Sequence, residues 1–209
     1  MSEGILGLKL GMTSIFNTDG NVIPVTVIQA GPCIITQIKT DIKDGYNALQ
    51  ICLENKKNKT PSKPTIGHLS KSGVTSCQYL KEISVKDTNE FKIGEPITAD
   101  IFNIGEKVNI EGVTKGRGFA GVIKRHGFKG GRKTHGGRCH RIPGSVGASA
   151  WPSKIIKGKK MPGHYGVKKH TVKNLKIISI RYEENVILVH GPVPGSKNGL
   201  LLIKKQNNF

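Results

Sequence analysis

The chain has 209 residues with 33 Lys and Arg against 14 Asp and Glu, a formal net charge of +19. That length allows one or two domains with a real core, and the 36% hydrophobic content is low for a fully globular chain. No apolar run approaches the roughly 18 residues of a membrane span, and the opening MSEGILGLKLGM has neither the basic nor the long apolar region of a signal peptide, so a soluble protein is expected.

The charge is not spread evenly. Residues 112–182 hold 18 of the Lys and Arg, including all six Arg, with five of the seven His, 14 of the 27 Gly and no Asp or Glu. The rest of the chain carries 15 Lys against 14 acids. One segment therefore accounts for +18 of the +19. Charge this localised points to a polyanionic partner, with the remaining chain as its holder.

In chain order, residues 4–52 read as β structure. Residues 22–28 and 34–38 are rich in β-branched side chains, and 48–53 is a third apolar run. Turn signals at Asp19-Gly20, Gly31-Pro32 and Asp44-Gly45 separate them. Such spacing predicts a small antiparallel barrel or sandwich, with Pro24 at an edge or strand entry. Residues 55–92 change character and predict an inserted subdomain with a short helix and a strand. Lys56, Lys57 and Lys59 there read as a solvated loop, with RNA contact as the alternative. Strands are expected again over 97–102 and 107–113.

The basic segment opens with a predicted short helix, 119–125, that puts Phe119, Val122 and Ile123 on one face. Beyond His126 neither helical nor strand periodicity is present. Gly, Pro, Ser and cations dominate until β signal resumes at 175–181, 186–189 and 200–203. A loop as long as 127–170 that leaves a β body and returns to it is improbable unless functional or disordered.

Its residue types suit folded RNA. Lys and Arg neutralise phosphate and release counterions. Arg also forks onto phosphate or stacks on bases. His126, His135, His140, His164 and Trp151 offer flat faces. No recognition helix for a DNA groove is visible.

Other chemistries fit less well. His126, His135, Cys139 and His140 lack paired metal-ligand spacing and sit among cations. A Cys139 nucleophile has no orienting carboxylate nearby. Residues 115–121 resemble a phosphate loop without the Gly-Lys-Ser/Thr ending. A nucleic-acid enzyme would need a carboxylate cluster, and a membrane-surface protein would need an amphipathic basic helix. Neither is present. The four Cys form no CxxC pair, so reduced, mostly buried thiols are expected.

Six blocks resemble the ribosomal protein L3 family of the large subunit, bacterial type. They are GILGLKLGMTSIF (4–16) with IPVTVIQAGP (23–32), GVTKGRGFAGVIKRHGF (112–128), THGGRCHRIPGSVGA (134–148), KGKKMPGHYG (157–166), TVKNLKII (171–178) and VHGPVPGSKNGLLLI (189–203). They occur in order over nearly the whole chain. The resemblance implies a mainly β fold: a six-stranded translation-protein-type β-barrel, a small α+β insertion and a long, mostly irregular basic extension. The expected barrel body is 1–54, 93–113 and 174–209, the insertion 55–92 and the extension 114–173.

The resemblance also implies a role without catalysis, metal or cofactor. The family binds large-subunit (23S-type) rRNA near its 3′ end, nucleates assembly and extends a loop towards the peptidyl transferase centre. It neighbours ribosomal proteins L14 and L19. The place implied is the cytoplasmic ribosome, or that of a plastid stroma. The rRNA contacts implied are Lys115, Arg117, Lys124, Arg125, His126, His135, His140, Arg141, Lys157, Lys159, Lys160 and His164, with Trp151 at a tip over 145–153. Charge alone adds Lys129, Arg132, Lys133, Arg138, Lys154, Lys168 and Lys169. Departures from the family pattern are Ala148 and Ala150 where some relatives carry Gln, the bulky Trp151, Val167-Lys168-Lys169 in the return arm, and Arg132-Lys133.

Overall fold

The computed structural model describes residues 4–53, 62–74 and 76–206. Strand makes up 40% and helix 11% of it, so the fold is mainly β as expected. The chain forms two compact units, Met1–Val113 with Lys169–Phe209, and Thr114–Lys168.

In the first unit six strands close an antiparallel barrel. β1 (Gly4–Phe16) and β2 (Val22–Ala30) form a hairpin around the turn at Asn17-Thr18-Asp19-Gly20. Pro24 pairs with Ser14 in that hairpin, outside the register with the next strand, which starts at Val25. Its missing N–H therefore removes no bond from the barrel ladder on that side.

β3 (Cys33–Lys39) and β4 (Ala48–Leu53) follow a cis Gly31-Pro32 bond and enclose a one-turn helix, α1 (Asp41–Asp44). Gly45 ends that helix at φ 81°, the left-handed conformation only glycine adopts without strain. Helix α2 (Lys63–Leu69) carries Pro64 in its first turn, where a missing N–H costs nothing. It runs into a tighter turn, Ser70–Ser72. β5 (Tyr79–Ser84) and β6 (Pro96–Ile97) then join β4 and β3 in a second sheet of order β5-β4-β3-β6. Residues 33–53, expected in the barrel body, thus build this sheet with β5 from the insertion. Lys56, Lys57 and Lys59 lie outside the described residues.

The strand expected over 97–102 is a correction: only Pro96–Ile97 is strand. The Thr98 hydroxyl donates to Asp100 Oδ2 at 2.6 Å, and the Phe102 N–H donates to the Ala99 carbonyl at 3.1 Å. Such local bonds compete with a ladder and draw Ala99–Ile101 into a 3₁₀ turn. Phe102 closes the turn fully buried.

β7 (Lys107–Val113) leads to the second unit, and β10 (Lys169–Arg181) leads back. β11 (Val186–His190) and β12 (Leu200–Lys205) complete the barrel in the order β1-β12-β7-β10-β11-β2. β10 begins at Lys169, ahead of the expected 175. Its first residues, Lys-His-Thr-Val-Lys, read as loop by composition, but Lys169–Val172 pair residue by residue with Val113–Ile110. Backbone bonds to β7, not apolar burial, make them strand. A register shift between Val172 and Leu175 places Asn174 at φ 60°, its N–H donating to Asn109 Oδ1 at 3.0 Å.

Inward positions of the barrel (Ile5, Ile28, Val108, Ile110, Ile177, Ile187 and Ile203) have no exposed surface, and they share one core with Ile35, Leu49, Ile51 and Phe102. Each such side chain contributes about 1.5–3 kcal/mol by leaving water.

The expectation of four reduced thiols is also corrected: Cys52 and Cys77 are joined by a disulfide, with Cα atoms 5.8 Å apart. They lie 25 residues apart in sequence, and only the sheet brings them together. Cys33 is buried and its thiol is pushed up to about 12 by desolvation, partly offset by its bond to the Leu6 carbonyl. Cys139 is exposed.

Ile110→Ala is expected to lower unfolding free energy by about 2–5 kcal/mol. Ile42→Ala, at a 98% exposed position, should stay within ~0.5 kcal/mol in the same denaturant titration. Below pH 9 a thiol-specific reagent should modify Cys139 in the folded protein and Cys33 only after denaturation. Equal rates at both would refute the assignment of Cys33 to the core.

Candidate nucleic-acid interface

Residues 114–168 hold 14 Lys and Arg and no Asp or Glu. Ion pairing within the unit is therefore impossible. The ion pairs among the described residues, such as Lys39–Glu82 and Lys205–Glu106, join residues of the barrel-and-sheet unit. Backbone bonds must hold the second unit together.

They do so as a ladder between its two arms. The Thr114 N–H donates to the Lys168 carbonyl at 2.9 Å and the Val167 N–H to the Thr114 carbonyl at 3.2 Å. The Arg117 N–H reaches the Tyr165 carbonyl, and the Tyr165 N–H the Gly118 carbonyl, each at 2.9 Å. The ladder ends in two short strands, β8 (Phe119–Ala120) and β9 (Gly163–His164), paired Phe119 to His164 and Ala120 to Gly163. Gly166 sits at φ 84°, and a Cβ there would strike the Lys115 carbonyl. Glycine is what lets the arms close.

The helix expected over 119–125 is corrected to α3 (Val122–His126), closed by Gly127 at φ 73°. Phe119 is in strand instead, because it and its neighbour Ala120 pair across the arms. α3 carries a clamp. Arg125 Nη1 donates to the Met161 carbonyl at 2.6 Å, and His126 Nε2 donates to the same oxygen at 3.1 Å. A Cβ on Gly163 would lie 2.7 Å from Arg125 Nη1, so the guanidinium covers that residue. The carbonyl accepts both donors, and a charged donor strengthens the bond.

The clamp sorts the expected contact residues. Arg125 and His126 are half-buried and turned inward on the opposite arm. Lys115, Arg117, Lys124, Lys129, Arg132, Lys133, His135, Arg138, His140, Arg141, Trp151, Lys154, Lys157, Lys159, Lys160, His164 and Lys168 are exposed. Lys169 is exposed too but belongs to β10 of the barrel.

Beyond α3 the chain folds back tightly. The Gly131 N–H donates to the His140 carbonyl at 3.2 Å, and a Cβ on Gly130 or Gly131 would run into the carbonyls of His140 or Cys139. This spreads Arg132, Lys133, His135 and Arg138 outward. Among the described residues no three His, Cys, Asp or Glu side chains converge as metal ligands would. Residues 145–153 carry no Lys or Arg. They form a turn around an open cavity of about 680 Å³ lined by Val146, Ala148, Ser153 and Ile155 among others. Trp151, 86% exposed, precedes a cis bond to Pro152.

A family model described as ribosomal protein L3 matches residues 80–186, just over half of the chain. The large ribosomal subunit protein uL3 of Desulfatibacillum aliphaticivorans is 60% identical over 205 residues, 98% of this chain and 97% of that one. Its counterparts in Desulforapulum autotrophicum and Desulfosudis oleivorans are each 55% identical, over 98% and 99% of this chain and 99% and 100% of theirs. The chain belongs to the ribosomal protein L3 family. That family is structural, not enzymatic. The matched residues span β5 to β11 and contain the whole acid-free unit.

Three features of this L3-family chain escape a reading by residue type. Arg125 and His126 look like free polar side chains in the sequence, although N–H donors on a short helix can also cap the carbonyls of a Gly- and Pro-broken return arm. The Met161 carbonyl has no side-chain signature at all. Phe119 looks like part of an inward helix face, whereas 79% of its surface is exposed.

Gly166→Ala is expected to open the arms, with about 1–3 kcal/mol lost to backbone conformation alone. Hydrogen exchange at the Arg117 and Tyr165 amides should then rise well above wild type. Unchanged protection at both would show that the ladder does not depend on this residue.

Proposed function

We propose that this chain is a structural constituent of the large ribosomal subunit, and that its acid-free unit is an arm held in folded rRNA. One observation carries the reading: of the 14 Lys and Arg between Thr114 and Lys168, all but Arg125 are exposed, and no carboxylate is present to neutralise any of them. An external polyanion relieves that repulsion. Each phosphate contact releases counterions, which favours binding at low and moderate salt.

Geometry supports RNA as the polyanion. The arms are narrow, with backbone paired to backbone and glycine at the closest approaches. Such a ribbon fits crevices of folded RNA better than a regular groove. Family membership supports the finer reading. The arm would bind 23S-type rRNA near its 3′ end during early assembly, with L14 and L19 as neighbours. The uncharged tip over 145–153 would lie nearest the peptidyl transferase centre, and Trp151 would be its most protruding side chain. The chain would act on peptide transfer only by holding rRNA in shape. Matching relatives from bacteria favour the cytoplasmic ribosome.

Replacing Arg138, Arg141, Lys159 and Lys160 together with Ala is expected to weaken rRNA binding and slow subunit assembly while the melting of the barrel is unchanged. The slope of log affinity against log salt should flatten by roughly 3, at ~0.7–0.9 per lost phosphate contact. Wild-type affinity, slope and sedimentation profile in that variant would refute the reading.

A further inference from the structure

We propose that Phe119 and His164 form a stacking platform for one unpaired RNA base, an inference that rests on the RNA reading above. The two residues are directly paired across β8 and β9. Directly opposed side chains stand on the same face of a ladder, about 4.5–5.5 Å apart at Cβ. The next pair, Ala120 with Gly163, points the other way, since side chains alternate along a strand.

That second face is already filled. Ala120 is 4% exposed, and the Arg125 guanidinium lies over Gly163. The Phe119–His164 face is left bare. Phe119 is 79% exposed and His164 is exposed, and neither has a ring partner among the described residues. The Arg125 clamp thus has a consequence for the opposite face: it fixes the ladder from behind, so the platform is preorganised.

A phenyl ring kept in water costs apolar surface that burial would recover. A partner that covers the ring would recover it. An RNA base is favoured over an apolar protein side chain by the surroundings. Lys115, Arg117 and Lys124 are exposed close to Phe119 in the chain, and the unit has no carboxylate. A protein partner would have to desolvate those cations, whereas a nucleotide brings a phosphate to them. Stacking is sequence-tolerant because every base has a π-face. Bases inside an A-form duplex are stacked on each other and expose only edges, so the platform selects an unpaired base.

The test compares two probes, a single-stranded oligouridylate of about 16 nucleotides and a fully paired RNA duplex of the same length. Phe119→Ala and Phe119→Leu should each weaken oligouridylate binding roughly 5- to 100-fold. Duplex affinity and the salt slope for both probes should be unchanged, since no phosphate contact is lost. Phe119→Tyr should bind as wild type. Hydrogen exchange of the Arg117 and Tyr165 amides, if unaltered, shows the ladder intact in each variant. Wild-type binding of oligouridylate by Phe119→Ala, or by Phe119→Leu, overturns the platform. Equal loss for both probes overturns it as well. A wild-type chain that binds neither RNA overturns the RNA reading itself, and the platform with it.

Discussion

The 14 positive side chains between Thr114 and Lys168, with no carboxylate among them, can be held together only by interactions that do not pair charge with charge. Everything particular to residues 114–168 follows from that constraint. The arms are joined through N–H and C=O groups between Thr114 and Lys168, Arg117 and Tyr165, and Tyr165 and Gly118. Gly130, Gly131 and Gly166 stand where backbone meets backbone, Gly166 against Lys115. The one cation turned inward, Arg125, directs its charge at a neutral carbonyl, with His126 beside it. Backbone bonding leaves the remaining cations outside and available.

The barrel meets the opposite requirement. Its strands close on each other with an apolar core, so it needs no partner to satisfy its backbone. The closed order leaves no unpaired strand edge for a second chain to extend. β7 and β10, the strands on either side of the acid-free unit, are neighbours in that order and pair from Val113–Lys169 onward. Both ends of the excursion are thus covalently continuous with one ladder. A basic tail anchored at one end would lose more conformational entropy on binding than a loop anchored at both.

Much of the fold was readable where hydrophobic period carried the information. β2, β3, β4, β7, β11 and β12 follow apolar runs, and their limits lie close to the expected ones. Errors cluster where backbone bonding or local side-chain bonds decide. Residues 97–102 look apolar enough for a strand, yet the Thr98–Asp100 bond turns the chain. Residues 169–174 look like loop, yet β7 makes them strand. Residues 119–125 look like one helix, yet a short ladder takes Phe119 and Ala120. That last misreading hid an exposed aromatic by assigning it to a buried face. The Cys52–Cys77 pairing likewise has no signal in spacing, because sheet geometry sets the distance.

The amino-acid sequence alone determined that the chain carries a strongly cationic, acid-free segment and where it lies, because net charge and the absence of acids are properties of composition and need no coordinates. Motif order determined the family for the same reason. Tertiary structure decided which of those cations are exposed and which brace the arms, since Arg125 and Lys124 are adjacent in sequence and only Arg125 meets a carbonyl of the other arm. It also decided that the two arms form a ladder with one face clamped and one face bare. That outcome depends on pairing between positions as far apart in the chain as Phe119 and His164, a separation over which no periodicity carries information.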